Sequence, residues 1–308
     1  MLTTVKHKYE LGITSVVKST NKWLWIPAFL IVLVVGDRLG GFLLKKITEH
    51  SQFRFTSLYQ DEAACDILLV GNSRGLSFYQ PFIENVTNKN VFSLAYNGMA
   101  ANLAEVFIKD YYNKYQAPKK LILEITFADR TNKELIPAFA TYLPYSKNLQ
   151  SFIKQKERKT YFGTKLSHLL RYNSEVFQRA VRHLNRSDKL WLTDRRISAA
   201  MLAESENLEN ISIDLIPELE TSLVRIVKLA QKNGTKVELV VAPFLPSYGS
   251  ALYNLNTYIK SIEDKTQLKV HNYAHAIKDP LLFGDYFHIN IFGSEKLVEI
   301  MNKEGIFQ

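Results

Sequence analysis

The chain has 308 residues, 46% of them hydrophobic, and a net charge of +9. That length makes one large domain or two small ones, with apolar content sufficient for a sizeable core. The single cysteine, Cys65, excludes an intrachain disulfide and reads as a small buried hydrophobe beside a strand.

In chain order, Lys6, Lys8, Lys18 and Lys22 precede an uncharged run, WLWIPAFLIVLVVG, from Trp23 to Gly36. Asp37 and Arg38 follow, then LGGFLL, then Lys45 and Lys46. Trp23 through Leu44 reaches the ~20 residues that a helix needs to cross a bilayer. Asp37 and Arg38 fall near the far end of that span, where they pair with each other or with headgroups. Trp23 and Trp25 suit an interface. No A-x-A-like cleavage site follows. The pattern therefore predicts a cytoplasmic segment over residues 1–22, an uncleaved transmembrane signal anchor over 23–45, and a folded domain over 46–308. A buried core helix is the alternative for the apolar run.

Short apolar runs at 66–70, 91–95, 120–127 and 237–242 read as strands, with a short fifth strand at 268–272. Helical patterns occupy 100–115, 216–231, 253–262 and 292–302. Asn233-Gly234 is a helix stop. Between about 131 and 213 the alternation breaks, and Leu166, Leu169, Leu170, Val176, Phe177, Val181 and Leu184 predict a mainly helical insertion. Alternating apolar strands and helices predict an α/β fold, a three-layer doubly wound parallel sheet. Ligands in such folds bind beyond the carboxyl ends of the strands. The residues there are Gly71-Asn72-Ser73, Tyr96-Asn97-Gly98, Ala128-Asp129-Arg130 and Pro243-Phe244, with 284–289 just before the last helix.

The charge is concentrated. Residues 154–196 hold twelve Lys or Arg against four Asp or Glu, +8 of the chain's +9. Such a segment is a solvated helix face, or it meets an anionic partner. For an anchored chain a membrane surface or an acidic glycan is favoured over nucleic acid. No H-E-x-x-H, cysteine pair, Walker loop or dinucleotide-binding glycine pattern occurs, so neither a metal nor a nucleotide cofactor is expected.

Gly71-Asn72-Ser73-Arg74-Gly75 spells G-x-S-x-G at the end of the first strand of the folded domain. A serine hydroxyl becomes a nucleophile only beside a base that a third group orients. Near the other end, GDYFHINIFG puts Asp285 three residues before His288. On one turn that carboxylate reaches the imidazole Nδ1–H and leaves Nε2 for a serine. His271 and His275 are rival bases, and Asp279 with His275 a rival pair. In an α/β-hydrolase the elbow follows several strands, and acid and histidine lie on separate loops.

The arrangement here resembles the SGNH/GDSL hydrolase superfamily. Gly71-Asn72-Ser73-Arg74 matches its first block, and Asp285-Tyr286-Phe287-His288 its terminal D-x-x-H. His288, Asn290 and Gly293 match the continuation H-x-N-x-x-G, and Asn97-Gly98 in FSLAYNG the second block. The resemblance implies Ser73 as nucleophile, His288 as base, Asp285 as its orienting acid, and an oxyanion hole from the N–H groups of Ser73 and Gly98. The family's third block, G-x-N-D, has no match. Asn97, Asn102 or Thr126 is expected in place of its asparagine, unless the hole has two donors. Arg74 and Arg130 are expected to contact substrate.

With an N-terminal anchor, the chain looks like the membrane-tethered subgroup associated with exopolysaccharide and cell-envelope O-acetylation. That likeness implies a single-pass protein of a bacterial-type cytoplasmic membrane with its catalytic domain outside. It also implies a membrane-bound O-acyltransferase as partner and a glycan as substrate. Two other functions fit the residues: a non-catalytic accessory protein of the same fold, and a lipid esterase or thioesterase using the same three side chains.

Overall fold

The computed structural model describes residues 23–308. The expected cytoplasmic segment 1–22 lies outside the described residues.

Five stretches become strands, and all but the last, an edge strand, are largely buried on both faces. They are β1 (Ile67–Val70), β2 (Val91–Ser93), β3 (Lys120–Glu124), β4 (Lys236–Val241) and β5 (Val270–Asn272). All pair in parallel, in the order β2-β1-β3-β4-β5. That order is the flavodoxin-like form of the doubly wound sheet. Alternate residues enter opposite cores. Leu68, Val70, Leu121, Leu123 and Leu239 point to one face, and Ile67, Leu69, Ile122 and Val240 to the other.

The helices, in chain order, are α1 (Trp25–Glu49), α2 (Arg54–Tyr59), α3 (Gln80–Thr87), α4 (Ala101–Lys114), α5 (Leu135–Ala138), α6 (Lys147–Lys156), α7 (Arg158–Leu166), α8 (Glu175–Arg182), α9 (Ala199–Ser205), α10 (Pro217–Lys232), α11 (Pro246–Ala251), α12 (Leu255–Thr266) and α13 (Ile291–Lys303). Helices α4, α10 and α12 cover the first face, through residues such as Phe107, Leu223 and Ile262. Helices α3 and α13 cover the second, through Ile83, Leu297 and Met301. Pro217 starts α10, Glu218 and Glu220 sit in its first turn, and Gly234 at φ +78° follows its end.

The third strand stops earlier than its apolar run suggests. The Glu124 carboxylate accepts the Thr126 N–H, and this turns residues 125–128 into a 3₁₀ turn. The insertion is less helical than expected. Ser146, Ser174 and Ser198 cap α6, α8 and α9 by accepting the N–H groups of Leu149, Phe177 and Met201. Leu149, Ile153, Val176 and Ala180 join the first core. From 185 to 198, however, the chain is an irregular strap whose backbone bonds elsewhere: Ile197 N–H to the Phe283 carbonyl, and the Thr193 carbonyl from Ile291 N–H. Leu166, Leu169, Leu170 and Val181, predicted in the helical pattern of the insertion, are exposed.

Helix α1 is long and apolar enough to cross a membrane. Its first half is open on all sides, and Gly41 and Thr48 in its second half are buried against the domain.

Candidate active site

The turn after β1 is built by close packing. A Cβ on Gly71 would lie 2.8 Å from the Glu124 Cβ, and one on Gly75 3.2 Å from the Ala95 Cβ. The Asn72 side chain accepts the Arg74 N–H at 2.8 Å, an Asx-type turn that lifts Ser73 between the two glycines. No regular helix begins at Ser73. A 3₁₀ turn, Gly75–Ser77, intervenes, and α3 starts only at Gln80-Pro81, where the proline ring needs no N–H partner.

The second piece is equally local. Asp285 Oδ1 accepts the N–H groups of Phe287 and His288, at 2.8 and 3.0 Å. This folds 284–288 into a loop closed by Gly284 N–H on the His288 carbonyl, at 2.8 Å. Asn290 caps α13 by accepting Gly293 N–H at 3.1 Å. A Cβ on Gly293 would meet the Leu282 carbonyl at 2.4 Å. The H-x-N-x-x-G spacing is thus a loop that aims the histidine, a helix cap, and a contact only glycine allows.

The fold brings these two pieces together across 215 positions of sequence. Ser73 Oγ lies 2.8 Å from His288 Nε2, and His288 Nδ1 lies 2.8 and 2.9 Å from the Asp285 oxygens. A carboxylate only accepts, so Nδ1 carries the ring proton and the serine hydroxyl donates to Nε2. Burial raises the Asp285 carboxyl, but the His288 ring and the two N–H donors outweigh it and hold it below its ordinary value. A lowered acid adds stability above its unfolded pKa, and that stability is lost as pH falls through the folded one. Asp285→Asn is therefore expected to flatten the fall in melting temperature between about pH 6 and pH 3, measured against wild type.

The rival bases are elsewhere. His271 bonds Glu238 of the neighbouring strand at 3.1 Å. His275 packs over Gly249, and Asp279 caps the turn at 280–282. Cys65 is half-buried, with its sulfur 3.2 Å from the Tyr111 hydroxyl, and burial pushes its thiol up to about 12.

Arg74 corrects an expectation. Its side chain is buried, and most of its donors are spent inside the protein. Nε donates to Thr126 Oγ1 at 3.1 Å, and the terminal nitrogens donate to the carbonyls of Ala242, Pro243 and Phe287. The guanidinium lies 3.4 Å over the Phe244 ring and 3.5 Å from the fully buried Glu124. Arg74 therefore ties the carboxyl ends of β1, β3 and β4 to the histidine loop, with four of its five N–H groups donating inside the protein. Burial pushes the Glu124 carboxyl up, against the Arg74 charge and the hydroxyl and N–H donors around it. The sequence signal for this pairing is Glu124, the lone acid in the run LILEITF.

Thr126 is corrected for the same reason, because its hydroxyl donates to Glu124 at 2.8 Å. Asn102 points away, to Glu218 at 3.4 Å. Among the described residues the N–H groups of Ser73 and Gly98 have no partner. Gly98 holds φ at +70°, and its carbonyl accepts the Asn132 amide at 3.2 Å. Gly98→Ala is expected to cost about 1–2 kcal/mol, read as a lower denaturation midpoint, because an L residue is strained in that backbone region.

Two clefts meet at the serine. One, of 380 Å³, runs from Ser73 and His288 past Gly98, Met99, Ile213, Tyr248 and Arg130. Arg130 forks onto Asp129 at 2.9–3.2 Å but remains exposed at this cleft's rim. The other, of 510 Å³, shares Ser73 and His288 and is walled by Asn97, Tyr96, Trp191, Arg179 and Arg195. Asn97 is exposed there. Arg54, invisible to sequence reasoning, fixes the strap in place. It pairs with Asp188 at 2.6 Å, donates to the Ala95 carbonyl at 2.8 Å and stacks 4.3 Å under Trp191. Among the described residues no group of His, Cys, Asp and Glu has metal-binding proximity.

No family model matches the chain, and no curated protein matches it. Among solved structures, the crystal structure of a Bacteroides fragilis protein provisionally described as an acylhydrolase aligns with 79% of this chain and 88% of its own, at 9% identity and a TM-score of 0.38, a likeness too distant to bear on the site.

Proposed function

We propose that the protein is a membrane-anchored serine acyl-transfer enzyme of the SGNH type. The observation that carries this reading is the unbroken relay from Ser73 Oγ through His288 to Asp285. As Ser73 Oγ attacks an acyl carbonyl, its proton passes to His288 Nε2. The carbonyl oxygen takes up the negative charge beside the N–H groups of Ser73 and Gly98. The intermediate collapses, the carbon–oxygen bond to the donor alcohol breaks, and that alcohol leaves with the proton from His288. An acceptor hydroxyl then gives its proton to His288 and bonds to the acyl carbon, the bond from that carbon to Ser73 Oγ breaks, and His288 returns the proton to Ser73 Oγ.

Two clefts sharing one serine support transfer between a donor and an acceptor. The proposed acyl group is acetyl, and the acceptor a hydroxyl of a cell-envelope or exported polysaccharide, with water as acceptor in the hydrolytic version. Among the described residues Arg179 and Arg195 have no ion-pair partner, and they suit an acidic glycan in the larger cleft. Arg130 is proposed to meet the donor at the rim of the smaller one. The domain is proposed to lie outside the cytoplasmic membrane, beside a membrane-bound O-acyltransferase. The test is labelling of the full-length protein with a fluorophosphonate, together with acetyl-ester turnover with and without acidic oligosaccharide. A folded protein that neither labels nor turns over any ester removes the enzyme reading and leaves an accessory protein.

A further inference from the structure

We propose that the tip of the insertion, residues 162–170, is set into the bilayer leaflet nearest the folded domain, beside α1, so that the protein meets lipid at two places. The tip exposes large apolar side chains to no protein partner: Leu166 is 82% exposed, Phe162 and Leu170 each 52%. Isolated exposed apolar residues are ordinary, but a cluster of this kind marks an interaction surface.

The occupant follows from what the tip is fastened to. Asp37, inside the apolar helix, accepts the His168 N–H at 2.8 Å, the Leu169 N–H at 3.2 Å and the Ser167 hydroxyl. Arg38 pairs with Asp37 at 2.8 Å and donates to the Leu166 carbonyl at 3.2 Å. Gly40 and Gly41 let the tip approach, since a Cβ on either would strike Leu169 or His168 at 2.9 or 2.4 Å. The tip therefore sits at the level of residues 37–41 of α1. That level is ~18–24 Å along the helix from Trp25, at ~1.5 Å per residue. The hydrocarbon is ~30 Å thick, so a span that begins at the tryptophans ends beyond the tip. Leu39, Phe42 and Leu43 of α1 are exposed at the same level and continue the apolar surface. Irregular backbone is tolerated at that depth only when its polar groups are satisfied, as Asp37 satisfies these.

Charge agrees. Lys154, Arg158, Lys159 and Lys165, around the tip, are exposed and form no ion pair among the described residues. Their positions suit anionic headgroups. Part of the +8 segment is thereby assigned to lipid, independently of any catalytic reading.

The test places nitroxide labels on full-length protein in nanodiscs of phosphatidylcholine and phosphatidylglycerol, at Leu166→Cys and Leu170→Cys. Phe42→Cys in α1 serves as lipid reference. Lys296→Cys in α13, on the opposite face of the sheet, serves as aqueous reference. The native thiol, scarcely ionised, labels slowly. Dissolved oxygen is expected to relax the 166 and 170 labels more than a water-soluble nickel chelate does, as at 42, with the reverse at 296. Labels at 166 and 170 that behave as at 296, while 42 stays lipid-like, overturn the proposal. A water-exposed label at 42 overturns the membrane span as well.

Discussion

Replacing Ser73 with alanine is expected to abolish covalent labelling by a fluorophosphonate and to lower ester turnover by about 10⁴–10⁶-fold, the range for removing a nucleophile from a working triad. The loss is expected without loss of fold. Ser73 is half-buried in the turn, its hydroxyl bonds only His288, and the turn is held by Asn72, Gly71 and Gly75. His288→Ala is expected to cost a similar factor, because the members of such a unit act together. An unchanged melting temperature in both variants separates loss of chemistry from loss of structure. Turnover that survives in Ser73→Ala would remove the serine from the mechanism.

Arg74→Ala is expected to be the most destabilising single substitution near the site, at about 3–5 kcal/mol. It leaves the Glu124 carboxylate fully buried without its cation, and it orphans the carbonyls of Ala242, Pro243 and Phe287. For a domain of this size that is a fall in melting temperature of roughly 10 °C, at ~2–4 °C per kcal/mol. The two residues are coupled, so Glu124→Gln in the Arg74→Met background is expected to recover part of the loss, since removing a whole buried pair costs less than breaking it. A thermal-unfolding cycle on the two single variants and the double variant measures this. If the double variant loses the sum of the single losses, the pair does not interact.

Much of this was legible before the structure. The strands were, because most are short, predominantly apolar runs in a sheet whose central strands are covered on both faces. The end of α10 was, because Asn233-Gly234 stops a helix by its own backbone preference. The Asp285–His288 pair was, because three residues bring the carboxylate to the ring within one loop. The insertion was misjudged where its backbone bonds to distant carbonyls rather than to itself, as in the strap of 185–198. The helix after β1 was not legible: it starts at Gln80-Pro81, well past the strand's last residue, Val70, with the turn that carries Ser73 between them.

The sequence by itself determined what depends on a few neighbouring residues: strand period, turns, caps, and glycine positions that tolerate no side chain. Tertiary structure alone decided what depends on distant segments. It brought Ser73 to His288, turned Arg74 inward onto Glu124, spent the Thr126 hydroxyl there, and seated loop 167–169 on Asp37. The physical reason is that a polar group's role follows from which partner satisfies it once water is removed. That partner is chosen by the packing of the whole chain, and no local pattern names it.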